Sequence, residues 1–83
     1  MKDIKDIREI ALDILETACE TDEVREDEEM DLFEAGIVDS IGMVSIIVEI
    51  EEQLGIKLQP TDLQKDDVKC VNSFVKYLEK ITN

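Results

Sequence analysis

The sequence predicts an all-α fold: a small bundle of three main helices plus one short helix, with a long ordered loop between the first two long helices. Three observations point there. Apolar residues recur at helical spacing in three separate stretches, no segment alternates convincingly enough to be a strand, and aromatic residues make up only 4% of the chain, too few for a typical β-sandwich core. A chain of 83 residues fits one domain, residues 1–83. A domain this small buries roughly 60% of the surface its unfolded form exposes, which leaves no easy room for a deep, enclosed active site.

The first helix is marked by Ile4, Ile7, Ile10, Ala11, Ile14, Leu15 and Ala18, with Asp3 as a cap and acidic residues favouring its positive end. From about Glu20 to Asp39 the pattern lapses into acidic residues broken by Val24, Met30, Leu32, Phe33, Ile37 and Val38. A connection of about 20 residues is long for a compact domain. Its apolar residues are too many for a free linker, so the spacing predicts an ordered loop pinned across the core, with Gly36 supplying a turn.

A second long helix runs from Ser40 to Leu54, with Gly55 in the usual terminating position. Ile56 and Leu58 follow, and Pro60, Thr61 and Asp62 open a short helix through Leu63 and Gln64. Val71, Phe74, Val75, Leu78 and Ile81 form the stripe of the last helix.

Charge bounds the partners. Nine basic against 22 acidic residues give a net charge of −13, which disfavours nucleic acid and anionic membranes and favours basic protein surfaces. No apolar run reaches the roughly 18 residues of a membrane span, and no signal peptide is evident. Cys19 and Cys70 fit no metal or redox spacing and suit a reducing compartment. The expectation is a cytoplasmic monomer.

The second long helix carries more apolar surface than a small core needs. At about 100° per residue, Gly42, Ser45, Glu49, Glu52 and Gln53 share a narrow polar sector, and a line through Ser40 and Glu51 divides the rest. Met43, Ile46, Ile47, Ile50 and Leu54 read as the core side. Ile41, Val44 and Val48 read as an exposed strip for a docking partner. On pattern alone, burial of both sides or pairing of two copies stays open.

These residues carry a resemblance. Leu32-Phe33-Glu34-Ala35-Gly36-Ile37-Val38 followed by Asp39-Ser40-Ile41, then Val44, Glu49-Ile50-Glu51-Glu52, Leu54-Gly55-Ile56 and Val71-Asn72-Ser73-Phe74-Val75, resembles the acyl carrier protein superfamily along nearly the whole chain. The resemblance implies a four-helix phosphoprotein in which Ser40 accepts 4′-phosphopantetheine from coenzyme A, in a reaction run by a separate phosphopantetheinyl transferase. It implies that Asp39 presents Ser40 to the transferase and its metal site. Cargo rides as a thioester on the arm, and Ile41, Val44, Val48, Glu51 and Glu52 match the face that meets acyl- or aminoacyl-activating and transfer enzymes. Lipid or secondary-metabolite biosynthesis is the implied setting.

Gly42 and Ser45 stand where fatty-acid carriers are often acidic, and Asp39-Ser40-Ile41-Gly42 resembles the D-alanyl carriers of cell-envelope modification. The stretch Asp66-Asp67-Val68-Lys69-Cys70-Val71-Asn72-Ser73 lacks the tryptophan segment associated with those carriers. The sequence therefore ranks a specialised acyl carrier first and an aminoacyl carrier, D-alanyl or peptidyl, second.

Other classes fit poorly. Asp27, Glu29 and Asp31 alternate as in a calcium loop, but Leu32 would stand at the required glycine and Val38 at the bidentate glutamate. Only weak electrostatic cation binding is left, and no dedicated metal site is expected. The chain has no histidine to serve as a base, so no catalytic residues are assigned. An unmodified acidic interaction module, with Ser40 reduced to a helix cap, is the remaining rival.

Overall fold

The computed structural model describes residues 6–82. Three helices, α1 (Ile7–Cys19), α2 (Ser40–Leu54) and α3 (Val71–Thr82), are accompanied by short 3-10 turns at Glu23–Arg25, Pro60–Asp62 and Lys65–Val68. There is no strand among the described residues. Asp3 and Ile4, assigned by spacing to the first helix, lie outside them. Helix α1 packs against both α2 and α3, so it is the element on which the other two are assembled.

Helix α1 buries Ala11, Leu12, Ile14 and Leu15 and keeps Ile7 and Ile10 half-buried. It stops where Glu20 turns left-handed at φ 57°, a conformation that costs a residue with a Cβ more than it would cost glycine. The loop that follows is ordered and anchored, as its apolar residues predict. Val24, Leu32 and Val38 are buried, and Met30, Phe33 and Ile37 pack against the core. Full burial, as at Val24, Leu32 and Val38, contributes about 1.5–3 kcal/mol per side chain.

Backbone hydrogen bonds fix the loop to distant chain. The Leu32 N–H donates to the Lys69 carbonyl at 2.7 Å, and the Asn72 N–H donates to the Glu28 carbonyl at 3.3 Å. Within the loop, the Leu32 carbonyl accepts from Ile37 and Val38 at 2.9 and 3.1 Å, closing a turn in which Gly36 adopts φ 76°. Asp31 holds the start of that turn, its Oδ1 accepting from the N–H groups of Phe33 and Glu34, each at 3.0 Å. The acidic residues here organise the backbone; they are not merely solvated.

Charge also ties the loop to α1. Arg25 pairs with Glu16, with Asp13 at 3.2 Å and with Glu9 at 3.4 Å, three carboxylates on one face of the helix. Arg8 pairs with Glu28 and donates to Asn72 Oδ1 at 3.3 Å.

The segment after α2 departs from the sequence expectation. One short helix from Pro60 to Gln64 is expected; two 3-10 turns are found, separated by Leu63 in an extended conformation. Leu63 is buried, which requires the chain to open out there. Each turn closes with its own capping box, the Gln59 N–H donating to Asp62 at 2.8 Å and the Gln64 N–H to Asp67 at 2.9 Å. Helix α3 then buries Val71, Phe74, Tyr77 and Leu78. Tyr77 is absent from the stripe read off the sequence, yet its ring is in the core and its hydroxyl donates to the Asp62 carbonyl at 2.9 Å.

Candidate functional site

Helix α2 begins with a cap supplied by Asp39. Its Oδ1 accepts from the Gly42 N–H at 2.8 Å, satisfying one of the free donors of the first turn. Ser40 is therefore the first helical residue and not the cap, which removes the role that the interaction-module reading gave it. Ser40 is exposed, and its hydroxyl has no hydrogen-bond partner among the described residues.

Gly42 does not lie on an exposed polar face as its helical azimuth suggests. It is buried, facing Val38 and the capping carboxylate. The buried line of α2 runs through Gly42, Ile46 and Ile50, with Met43, Ile47 and Leu54 half-buried beside it. Ser45 and Glu49 are half-buried. The expected core side is thus correct in its members and is shifted toward Gly42.

The other side of the helix is open. Ile41, Val44 and Val48 expose 76%, 55% and 45% of their surface, an amount that burial on both flanks would not leave. Glu51 and Glu52 are exposed farther along the helix. Apolar residues rimmed by carboxylates in this way suit an apolar and basic counterpart.

Beside Ser40 lies an open groove of about 380 Å³, lined by Phe33, Val38, Asp39, Ser40, Met43 and Lys65. The Lys65 ammonium stands 5.2 Å from the centre of the Phe33 ring, a cation–π contact. Neither residue is legible as part of the site from local sequence: Phe33 reads as loop packing, and Lys65 opens a 3-10 turn the sequence does not announce. Loop, α2 and the segment before α3 converge at this groove.

The chemistry available to Ser40 is limited. A hydroxyl needs a base to become a nucleophile, the chain has no histidine, and the adjacent Asp39 carboxylate is engaged with the Gly42 N–H. Cys19 offers no substitute nucleophile, because burial and then the nearby Asp39 charge push its thiol pKa up. The groove nevertheless suits a covalent phosphopantetheine. It presents an unencumbered primary alcohol at a helix start, in a groove that Lys65 also lines and to which Phe33, Val38 and Met43 contribute apolar walls.

No helix among the described residues is long and apolar enough to cross a membrane. Residues 5–78 match the family described as "Phosphopantetheine attachment site". The chain is also similar to D-alanyl carrier proteins from two strains of Bacillus cereus and from Bacillus anthracis. Each is 42% identical over 76 residues, covering 92% of this chain and 96% of the relative. The chain belongs to the phosphopantetheine-attachment family of carrier proteins, which are not themselves enzymes and which bear 4′-phosphopantetheine as a covalent cofactor supplied by a phosphopantetheinyl transferase.

Proposed function

We propose that this chain is an aminoacyl carrier of the D-alanyl kind, a single carrier domain acting as a cytoplasmic monomer, with Ser40 as the attachment point of its arm. The observation that carries the cargo assignment is the 42% identity to D-alanyl carrier proteins across 92% of the chain. It reverses the order in which the sequence ranks acyl and aminoacyl cargo. The missing tryptophan segment is outweighed by identity sustained along almost the full length.

The geometry of α2 supports attachment at Ser40. Ser40 Oγ forms a bond to the phosphorus that coenzyme A presents, adenosine 3′,5′-bisphosphate leaves, and the serine proton passes to a base on the transferase, which also supplies magnesium. Asp39 holds the first turn so that the hydroxyl faces outward. When bound, the arm supplies the thiol on which an amino acid is carried as a thioester. Ile41, Val44 and Val48, with Glu51 and Glu52 nearby, then form the face offered to the basic surfaces of activating and transfer enzymes.

The cargo is tested by offering the loaded protein D-alanine, L-alanine and a fatty acid, each with a matching ATP-dependent activating enzyme. Thioester formation is read by intact mass and by release with hydroxylamine. Charging with D-alanine in preference to the others is expected. Charging with the fatty acid alone would overturn the aminoacyl assignment and restore the acyl one.

A further inference from the structure

An arm attached at Ser40 brings a phosphodiester, one negative charge at neutral pH, into a groove that already contains the Asp39 carboxylate. The α2 start cannot fully offset that repulsion, because the Gly42 N–H is taken by Asp39 at 2.8 Å. Among the described residues, Lys65 is the only cation lining the groove.

Lys65 also lines an adjoining cleft with Asp31, Glu34, Asp66 and Lys69, and among the described residues none of those carboxylates holds it in an ion pair. Arg8 and Arg25 are committed to carboxylates. Lys65 shares with the other described lysines the lack of an ion pair, and it alone stands over an aromatic ring, at 5.2 Å from the Phe33 centroid. That contact restrains a flexible side chain beforehand, so less rotamer entropy is lost when a second partner arrives. Phe33, Val38 and Met43 continue as apolar surface next to the ammonium.

We propose that Lys65 is the positioning residue for the arm: its ammonium pairs with the phosphodiester on Ser40 and lays the pantoyl portion along Phe33, Val38 and Met43. The proposal rests on the reading of Ser40 as the attachment point. It gives the second 3-10 turn after α2 a purpose, since that turn delivers Lys65 to the groove.

The test separates the two assignments. Wild type, Lys65→Gln, Lys65→Arg and Ser40→Ala are incubated with coenzyme A, magnesium and a broad-specificity transferase, and intact mass reports loading. The loaded proteins are then examined by phosphorus NMR, folded and in urea, and by Overhauser contacts from the pantoyl methyls. In the folded wild type the phosphorus resonance should be displaced from its position in urea, and the methyls should contact the Phe33 ring. Lys65→Arg should keep the displacement and Lys65→Gln should lose it.

An equal displacement in Lys65→Gln overturns the proposal while the loading data leave the Ser40 assignment standing. So does a folded wild type whose phosphorus resonance matches that in urea and whose methyls show no contact with Phe33, a result that needs no variant to be loaded. A wild type that gains no mass removes the attachment reading and this proposal with it.

Discussion

The Asp39 carboxylate accepts the Gly42 N–H at 2.8 Å, so the helix that carries Ser40 is capped by its neighbour and not by Ser40 itself. Asp39 therefore stabilises the helix start, and under the proposed attachment at Ser40 it would have a separable second task, presenting the hydroxyl to a transferase. Asn caps as well as Asp, whereas Ala does not cap. Asp39→Ala should lose about 0.5–2 kcal/mol in denaturant unfolding, and Asp39→Asn should keep nearly all of that stability. Both should be loaded more slowly by the transferase. Loss of stability in Asp39→Asn matching that of Asp39→Ala would contradict the capping role.

Gly42 is the partner in that contact and the weak point of the helix. A Cβ placed there would meet Asp39 Oδ1 at 3.4 Å and Val38 Cγ1 at 3.7 Å, which is ordinary contact. With no steric penalty, the helix propensity difference decides the outcome. Gly42→Ala should gain about 1 kcal/mol, raising the melting temperature by roughly 4–8 °C for a domain of this size. A destabilised variant would show that the first turn must approach its cap more closely than the contacts imply.

Parts of this architecture are legible in the sequence because they are local. Ser40–Leu54 has its Gly55 terminator written into the adjacent residue, and the Val71–Ile81 stripe has a single strong period. Gly36 likewise takes the turn conformation expected of it. What escapes is non-local. The Leu32 bond to Lys69, the extension of the chain at Leu63 and the meeting of Phe33 with Lys65 each depend on elements distant in sequence. Gly42 misleads for a related reason: helical azimuth places it among polar residues, but a residue without a side chain takes its burial from whatever packs over it. Tyr77 escapes because its hydroxyl marks it as polar until Asp62 supplies an acceptor.

The alkaline limb of stability should run through Tyr77 and Cys19. Burial, then the charges of Asp67 and Asp62, raise the Tyr77 pKa above the ordinary 10.0. Burial, then Asp39, raises that of Cys19 above 9.0. In each case the folded protein holds the proton more tightly than the unfolded chain does. The stability each contributes is therefore fully present below those ordinary values and is lost as pH rises through the raised ones. Tyr77→Phe should lose about 0.5–1.5 kcal/mol at neutral pH with its hydrogen bond and show a shallower fall above pH 10 in denaturant titrations. An unchanged alkaline limb would contradict the tyrosine's share.

A net charge of −13 makes the folded state repel itself. Sodium chloride, and more strongly magnesium chloride, should raise the melting temperature by screening that repulsion. Arg25 relieves it locally, drawing Glu9, Asp13 and Glu16 to one guanidinium. Arg25→Ala should lower the melting temperature most at low salt, with the gap to wild type closing as salt rises. Melting indifferent to ionic strength in both proteins would show that surface repulsion is not a controlling influence.

The central claim is that Ser40 is the point of attachment. Wild type and Ser40→Ala incubated with coenzyme A, magnesium and a broad-specificity phosphopantetheinyl transferase, then weighed intact, test it directly. Wild type should gain the mass of one phosphopantetheine and the variant none. No gain on the wild type, or an equal gain on both, would contradict it.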